Sequence, residues 1–329
     1  MKIPMFKDFN GLSQMELWSY SNIMKKHMNT IEAFEQDIKL QENFIKKFKP
    51  ERPLSKTLQN KAIFCGTGDS FAAALLAEAF SNFTIRALDP LDTINNKNIF
   101  QRKTIFIISI SGNTRSNIRL ARTMNDSVAV TANPKSKLSL SCKKTIVLNY
   151  PSSGVFTSGS IGFLASVLTC ISLVTKFSIK GTSDLFLNAQ KESKKVRLTG
   201  RIFVLGNMHT FPVSMYFVAK LHEVLGMNAQ YERIEQFSHM GLFSTRKGDT
   251  VFIFDGNSKY NTKLRKNLLN AGLNVIHIVP NAKKKIEQIC YYTFISQLIP
   301  LFHAKRANQK HCFFISAKKL RNASSEMIY

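Results

Sequence analysis

Short apolar runs alternate with helix-like segments along most of the chain. In the first half, the run AIFCG (62–66) precedes SFAAALLAEAF, and the run TIFIIS (104–109) precedes NTRSNIRLARTMN. Short unbroken apolar runs are typical of parallel strands that are buried on both faces, and the segments between them have the length of crossover helices. The pattern therefore predicts an α/β fold with parallel sheets.

The same order of elements occurs a second time. The run RIFVLG (201–206) precedes VSMYFVAKLHEVLG, and the run TVFIFDGNSK (250–259) precedes NTKLRKNLLNAG. Self-similarity of this kind indicates a duplicated supersecondary unit. We therefore predict two similar, doubly wound parallel-sheet domains of the flavodoxin-like type, arranged in tandem.

Turn signals between these runs set the predicted domain limits. Residues 1–55 contain few such signals until two prolines end the pattern, and they are predicted to form an N-terminal helical segment. The first domain is assigned to residues 56–180, and the second domain, with a C-terminal tail, to residues 199–329. The polar stretch between the domains, 181–198, is predicted to be a linker.

One uncharged segment, PSSGVFTSGSIGFLASVLTCISLVT (151–175), is long enough to span a bilayer. Its first half is rich in serine, threonine and glycine, however, and its strongly apolar part, 161–174, makes only about four helical turns. It therefore predicts a buried core helix preceded by a polar loop.

The N-terminal residues lack the apolar core of a signal peptide, and the five cysteines include no CxxC pair, so we expect a reduced, cytoplasmic protein.

The charge of the chain is strongly positive: its 329 residues carry a formal net charge of +25. Such an excess favours anionic partners, which are phosphorylated metabolites, nucleic acid or anionic membrane surfaces. The basic residues are spread over the chain, and no basic run with interleaved aromatic residues stands out. A basic, solvated surface is therefore the simpler interpretation, and neither nucleic acid nor a membrane is expected as a partner.

The loop CGTGDS (65–70) connects a predicted strand to a predicted helix, which is where phosphate-binding loops lie. It does not fit the dinucleotide pattern G-x-G-x-x-G, because Phe71 occupies the third glycine position, and the chain contains no G-x-x-x-x-G-K-[ST] motif. A tight turn in which Asp69 or Ser70 caps the helix is as good an interpretation as a functional loop.

The loop SISGNT (109–114) has stronger features of an anion site. A predicted strand brings it to the edge of the sheet, and Gly112 lets the backbone approach a ligand closely. Ser109, Ser111 and Thr114 supply neutral hydroxyl donors, and the following helix presents free N–H groups and the positive end of its dipole. Because a simple helix cap needs only one hydroxyl, this density of donors favours phosphate binding over a purely structural turn.

Lys220 and Glu223, in VAKLHEVLG (218–226), are three residues apart and share one face if this segment is helical. A carboxylate beside a lysine stays ionised near neutrality, as a general base must. A surface ion pair is the competing interpretation, and the local sequence alone favours it.

The zinc motif H-E-x-x-H fails because Gly226 stands at the second histidine position, and the other histidines show no metal spacing, so we expect neither a metal nor a cofactor.

Taken together, these motifs resemble the sugar-isomerase (SIS) family, and in particular the tandem isomerase half of glutamine–fructose-6-phosphate aminotransferase. The loop at 109–114 is similar to the Ser-x-Ser-Gly-x-Thr phosphate loop of that family. The C-G-T turn at 65–67, the serine- and threonine-rich turn at 152–160 and the run 206–239 are similar to it as well. The resemblance covers residues 60–329.

The resemblance implies a role for each matching residue. The residues that it places around a substrate phosphate are Ser109, Ser111, Gly112, Asn113, Thr114 and Thr67. Those that it places around the rest of a sugar-phosphate substrate are Gly66, Gly68 and Ser158. Glu223 would be the base that moves a proton between C1 and C2, Lys220 would lie beside it, and His239 would open the sugar ring. In that family the histidine comes from a neighbouring subunit, so the resemblance also implies a homodimer.

The chain departs from the family pattern at several positions. Ile110 stands in place of a glutamine, Asn113 in place of a common glutamate, and Gly159 in place of a lysine. The Ala-Lys-Ser tail of the family is absent, and Ser324 and Ser325 are near its position. No glutaminase half with an N-terminal cysteine is present either, so we expect that amination driven by glutamine would require a separate subunit that donates ammonia.

Two functions remain open at this point. The first is an enzyme, either a phosphosugar aldose–ketose isomerase or an amino-sugar-phosphate isomerase or deaminase, since both reactions use the same base and an enediol-like intermediate. The second is a regulator that binds a sugar phosphate without catalysis. Regulators of this family carry DNA-binding helices ahead of one such domain. Here residues 1–55 are short for that purpose and two domains are predicted, which favours the enzyme.

Overall fold

The computed structural model of the chain describes residues 28–329. The predicted N-terminal helical segment, 1–55, therefore lies partly outside the described residues. Within its described part, helix α1 (Thr30–Lys47) begins with a capping box. The Asn29 side chain accepts a hydrogen bond from the Glu32 N–H, and the Glu32 side chain accepts one from the Asn29 N–H.

Five parallel strands form the first sheet in the order β2-β1-β3-β4-β5. The strands are β1 (Ala62–Cys65), β2 (Arg86–Leu88), β3 (Thr104–Ile108), β4 (Ser127–Thr131) and β5 (Lys144–Val147). The helices before and between them are α2 (Lys56–Gln59), α3 (Asp69–Phe80), α4 (Pro90–Asn95), α5 (Lys97–Phe100), α6 (Arg115–Thr123) and α7 (Lys137–Ser141). The chain passes from β1 to β2 on one side and then crosses to β3 on the other. The carboxyl ends of β1 and β3 therefore meet at a topological switch point, where open α/β sheets bind ligands.

Four parallel strands form the second sheet in the order β7-β6-β8-β9. Two helices precede this sheet, α8 (Ile161–Ser172) and α9 (Thr182–Lys195). The strands are β6 (Ile202–Gly206), β7 (Ala229–Arg233), β8 (Thr250–Phe254) and β9 (Asn274–Ile278). The later helices are α10 (Phe211–Lys220), a single π turn (Leu221–Leu225), α11 (Ile234–His239), a 3₁₀ turn (Gly241–Ser244), α12 (Lys259–Asn270), α13 (Lys285–Arg306), α14 (Phe313–Ser316) and α15 (Lys318–Ile328). The predicted α/β fold with two parallel sheets in tandem is confirmed.

The segment predicted as a linker, 181–198, is mostly the helix α9, which packs along α13. Its buried positions Leu185, Phe186 and Ala189 recur at helical spacing, and the Phe186 ring meets the Phe294 ring edge-on with centroids 5.2 Å apart. The polar composition of this stretch belongs to the exposed face of an amphipathic helix. The connection between the two sheets is therefore part of the packed structure.

An apolar core shared by both halves holds the two sheets together. Helix α8, which lies in the segment predicted to form a buried helix, is buried along its whole length. Phe163 of α8 stacks on Tyr216 of α10, with ring centroids 3.6 Å apart, and α3 packs against both helices. The start of α3, which follows β1, is thereby held against the second half of the chain. Within residues 28–329, no helix is long and apolar enough to cross a membrane.

His209 lies at the contact between the halves and makes the stability of this contact dependent on pH. Its ring packs edge-on against the Phe80 ring of α3 at 4.8 Å, and burial, together with the charge of Lys285, lowers its pKa from 6.5 to about 4. Between pH 6.5 and 4 the unfolded chain therefore binds a proton at this histidine that the folded chain does not bind. The free energy of unfolding should fall as the pH falls through this window.

The variant His209→Gln removes this titration and should therefore lose less stability on acidification than the wild-type chain. Urea denaturation at several pH values between 6.5 and 4 measures the difference between their slopes. Equal slopes for the two proteins would show that His209 is not held neutral at this contact.

Candidate active site

A cavity of about 1490 Å³ opens where the carboxyl ends of β1 and β3 face the second half of the chain. Its wall includes the loops after these two strands, the turn before α8, the π turn after α10, and the C-terminal helices α14 and α15. The residues of the sequence-predicted site that line it are Thr67, Gly68, Ser109, Ser111, Thr114, Ser158 and Glu223. Those that lie behind or away from the wall are Gly66, Gly112, Asn113, Lys220 and His239.

The loop 109–114 is held from behind by the last residue of β4 and by the segment that follows this strand. Gly112 accepts a hydrogen bond from the Leu138 N–H at 3.0 Å, and Ile110 accepts one from the Thr131 hydroxyl at 3.0 Å. Gly112 has a φ of +65°, and a Cβ atom at this position would overlap the Ser136 hydroxyl. Glycine is therefore needed here for both conformation and space.

The hydroxyl groups of this loop are available to a ligand. Thr114 is the N-cap residue of α6, yet its side chain makes no capping hydrogen bond. Within the described part of the chain, Ser111 Oγ accepts a single, long bond of 3.3 Å, from the Asn113 N–H. The first N–H groups of α6 also point toward this loop. The site therefore offers an anion several neutral donors that the fold does not use for its own hydrogen bonds.

Three arginines line the same cavity, and the sequence reasoning did not identify them. Arg115 and Arg119 lie one turn apart on α6, and Arg321 comes from α15. Arg115 Nη1 also donates a hydrogen bond to the Glu326 carbonyl oxygen at 2.9 Å, which ties α6 to α15. The spacing of Arg115 and Arg119 after Thr114 was a usable signal, whereas the position of Arg321 depends on how the C-terminal helix folds back.

Lys220 is fully buried and is held by two carboxylates. Its Nζ lies 2.9 Å from Asp69 Oδ2 and 2.5 Å from Glu223 Oε2. The Ser158 hydroxyl donates a third contact, to Glu223 Oε2, at 2.7 Å. The predicted pairing of Lys220 with Glu223 is present, but the competing interpretation of an exposed surface pair is wrong, because the Lys220 side chain has no exposed surface. Glu223 lies in the π turn, and such turns occur frequently at functional sites.

The charges of this cluster depend on each other. Burial alone would lower the pKa of Lys220, but the Asp69 and Glu223 carboxylates reverse this effect and raise it above the ordinary value, so the ammonium keeps its proton. Burial raises the pKa of Asp69 to about 6; the Lys220 ammonium lowers it and the nearby Glu223 carboxylate raises it further. A buried cation is thus shared between two acidic groups that repel each other.

Asp69 does not cap the helix as the sequence suggested. The N-cap of α3 is Gly68, which has no side chain to cap with, and Asp69 is the first helical residue. Its carboxylate turns toward Lys220 in the second half of the chain instead. The buried ammonium is the better partner for a carboxylate in this position, because the Ser70 and Phe71 N–H groups already donate to the Thr67 and Gly68 carbonyl oxygens.

A chain of buried hydrogen bonds holds the turn that carries Ser158. The Tyr216 hydroxyl donates to the Gly159 carbonyl oxygen at 2.8 Å and accepts a bond from Gln297 Nε2 at 2.9 Å. Gln297 Oε1 in turn accepts from Gln41 Nε2 of α1 at 2.5 Å. Ser158 is thereby fixed in the position from which it contacts Glu223.

His239 lies apart from this cluster. It ends helix α11, its side chain is 70% exposed, and its Nε2 lies 3.2 Å from Glu235 Oε1. Within one chain, His239 and Glu223 are not brought together at the cavity.

Gly112→Ala tests the construction of the loop. The new methyl group would meet Ser136, so we expect the variant to lose more stability than the ~1–2 kcal/mol that a left-handed conformation costs an alanine, and to bind inorganic phosphate more weakly. Gly248→Ala is the matched control, since Gly248 has a φ of +86° and a methyl group added there would have no atom within 4 Å. Urea denaturation and calorimetric titration with phosphate measure both effects. Equal losses in the two variants would contradict the tight packing of the loop.

Comparison of the whole chain with known proteins agrees with this architecture. No protein-family profile matches the chain, and no curated protein sequence matches it significantly. Solved structures that it resembles include glucosamine-6-phosphate deaminase from Thermotoga maritima, with 18% identity and a TM-score of 0.68 over 88% of this chain and 96% of that chain.

Two further solved structures are similar. The C-terminal domain of glucosamine-fructose-6-phosphate aminotransferase from Francisella tularensis has 15% identity and a TM-score of 0.64 over 84% of this chain and 95% of that chain. Tagatose-6-phosphate ketose/aldose isomerase from Escherichia coli has 14% identity and a TM-score of 0.64 over 88% of this chain and 94% of that chain. At these identities the likeness establishes the fold, and the resemblance seen in the sequence is confirmed to that extent: the chain has the fold of the sugar-isomerase proteins.

Proposed function

We propose that this chain is an enzyme that moves a proton between C1 and C2 of a hexose phosphate. The reaction is either an aldose–ketose isomerisation or the isomerisation and deamination of an amino-sugar phosphate. The observation that carries this proposal is that Glu223 and the free hydroxyls of the loop 109–114 line one cavity. One small substrate can therefore place its phosphate at the loop and its C1 and C2 atoms at the Glu223 carboxylate.

The phosphate is held by the first half of the chain. Ser109, Ser111 and Thr114 donate hydrogen bonds to its oxygens, and Thr67 lies on the same wall. The N–H groups at the start of α6 and the neighbouring arginines add positive potential. Gly112 and Asn113 shape the loop from behind the wall, and Gly66 lets α3 pack close to β1, since a Cβ atom there would lie 2.7 Å from the Ser70 backbone.

The proton is moved by Glu223. Lys220 and Ser158 both hold its Oε2 atom, and no residue in the range 28–329 donates a hydrogen bond to Oε1, so Oε1 is the oxygen that can face the substrate. In an aldose, this oxygen takes the proton from C2 while the C1 carbonyl oxygen gains one, which gives an enediol. Return of the proton to C1 and loss of the hydroxyl proton at C2 complete the ketose. Lys220 acts by orienting the base and lies behind the wall of the cavity.

The C-terminal side of the cavity departs from the family pattern. In this chain the C-terminal helix α15 brings Ser324 and Ser325 to the cavity, where the family has a lysine-containing tail. Release of ammonia from an amino-sugar phosphate needs no further subunit. The reverse reaction, amination, would take free ammonia or ammonia from a separate donor subunit.

Ring opening is assigned to His239 from a second copy of the chain. The side chain is exposed and lies away from the cavity of its own chain, so it can act only on a neighbouring site. A homodimer that exchanges this histidine is therefore part of the proposal.

Glu223→Gln should lower kcat by about 10²–10⁴-fold, since it removes the base and keeps its shape. Binding of the sugar phosphate should change little. The test is to identify the products formed from fructose 6-phosphate, with and without ammonium, and from glucosamine 6-phosphate. Glu42→Gln is the matched control, because Glu42 also pairs with a helical lysine, Lys46 at 2.6 Å, but lies away from the cavity. Full activity in Glu223→Gln would exclude this base, and binding without turnover in the wild-type chain would favour a non-catalytic sensor.

Mixing two inactive variants tests the shared site. If His239 serves the neighbouring cavity, Glu223→Gln and His239→Gln chains that are unfolded and refolded together should form mixed dimers with one intact site. Activity with a ring-closed sugar phosphate should then recover to about a quarter of the wild-type value for random pairing, since half of the dimers are mixed and each holds one of two sites. Absence of recovery, with dimers present by light scattering, would contradict the exchange of His239.

A further inference from the structure

The buried ammonium of Lys220 has two carboxylate partners, and only one of them has a role in the proposed reaction. Glu223, three residues along the same segment, is the proposed base. Asp69, which lies 2.9 Å from the ammonium, comes from the other half of the chain, 151 positions earlier. Its carboxylate makes no other hydrogen bond among residues 28–329. This second partner therefore calls for a functional explanation.

The space for this pairing depends on Gly159. A Cβ atom at Gly159 would lie 2.7 Å from Asp69 Oδ2 and 3.7 Å from Lys220 Nζ. The missing side chain thus makes room for the Asp69 carboxylate beside the ammonium. The Gly159 carbonyl oxygen is itself held by the Tyr216 hydroxyl, so the backbone here cannot easily retreat.

Asp69 is attached to the phosphate-binding half of the chain. It is the first residue of α3, directly after the loop that follows β1, and α3 packs against α10 of the second half. Lys220 ends α10, and Glu223 lies in the π turn that follows. The contact between Asp69 and Lys220 therefore joins the element next to the phosphate loops to the element that carries the base.

We propose that Asp69 is a positioning residue that fixes Lys220, and through it Glu223, relative to the bound phosphate. A buried ammonium with a single carboxylate partner is poorly compensated and can rotate toward other acceptors. With Asp69 on one side, Lys220 Nζ is held between two carboxylate oxygens. The fixed ammonium in turn fixes the position of Glu223 Oε2. This inference rests on the proposed function, because it assigns a purpose to Asp69 only if Glu223 is the base.

Asp69→Asn keeps the shape of the side chain and removes its charge. We expect kcat to fall ~10- to 100-fold, as misplacement of a catalytic group by about 1 Å does, while KM stays within about twofold because the phosphate loop is untouched. Fructose 6-phosphate and glucosamine 6-phosphate serve as substrates. Asp126→Asn is the matched control, since Asp126 also pairs with a lysine, Lys143 at 3.8 Å, but lies away from the cavity.

A double-mutant cycle separates positioning from a direct role. If Asp69 acts through Lys220, adding Asp69→Asn to Lys220→Met should lower kcat no further, whereas a carboxylate that touches the substrate would give an additional loss. Gly159→Ala displaces the same carboxylate by contact and should reproduce the loss in kcat at constant KM. It takes the place of Asp69→Asn if that variant does not fold.

The outcomes distinguish this inference from the proposed function. If Asp69→Asn and Gly159→Ala both keep the wild-type kcat while Glu223→Gln is inactive, the positioning role is overturned. The assignment of Glu223 as the base then still holds. A loss that adds to that of Lys220→Met would also overturn it. An active Glu223→Gln, or a wild-type chain that turns over neither sugar phosphate, would overturn both.

Discussion

The ion pair at the buried Lys220 is the constraint on which the candidate active site depends. Desolvation of an ammonium costs several kcal/mol unless paired charges and hydrogen bonds replace the water. Here the replacement comes from Asp69 after β1 and from Glu223 in the π turn. Because the two carboxylates belong to different halves of the chain, the cation fixes the distance between the sheets at the point where the cavity opens. The glycine at 159 and the hydroxyl of Ser158 complete its surroundings.

In the proposed reaction the two halves have different tasks, despite their similar strand order. The first half supplies an anion site at the switch point of its sheet, and its hydroxyls make few hydrogen bonds within the fold. Arginines lie beside this site. The second half supplies the Glu223 carboxylate, which lies in the π turn that follows α10. The C-terminal helix α15 forms part of the cavity wall and is tied to α6 through Arg115. Under the proposed function, a duplicated fold becomes one asymmetric site, in which the residues for phosphate binding and those for proton transfer are separated in sequence and adjacent in space.

Local patterns in the sequence predicted a large part of this structure. The apolar runs specify the strands because a parallel strand is buried on both faces, and the loop 109–114 was identified from its hydroxyls and Gly112. The pairing of Lys220 with Glu223 follows from helical spacing. The helix in the segment 181–198 was missed although its apolar positions recur at helical spacing. The partnership of Asp69 with Lys220 and the approach of Arg321, in contrast, could not be predicted in this way. Each of them depends on a contact between distant parts of the chain, and a helix-starting aspartate normally indicates only a cap.

The central claim, that Glu223 moves a proton between C1 and C2 of a sugar phosphate, is tested most directly by hydrogen exchange with the solvent. The wild-type chain is incubated with fructose 6-phosphate and with glucosamine 6-phosphate in D₂O, and NMR follows the C1 hydrogens of the first sugar and the C2 hydrogen of the second. We expect deuterium to enter one of these positions, or product to form, with at least one of the two sugars. Saturable binding of both sugars with neither exchange nor product would contradict the claim.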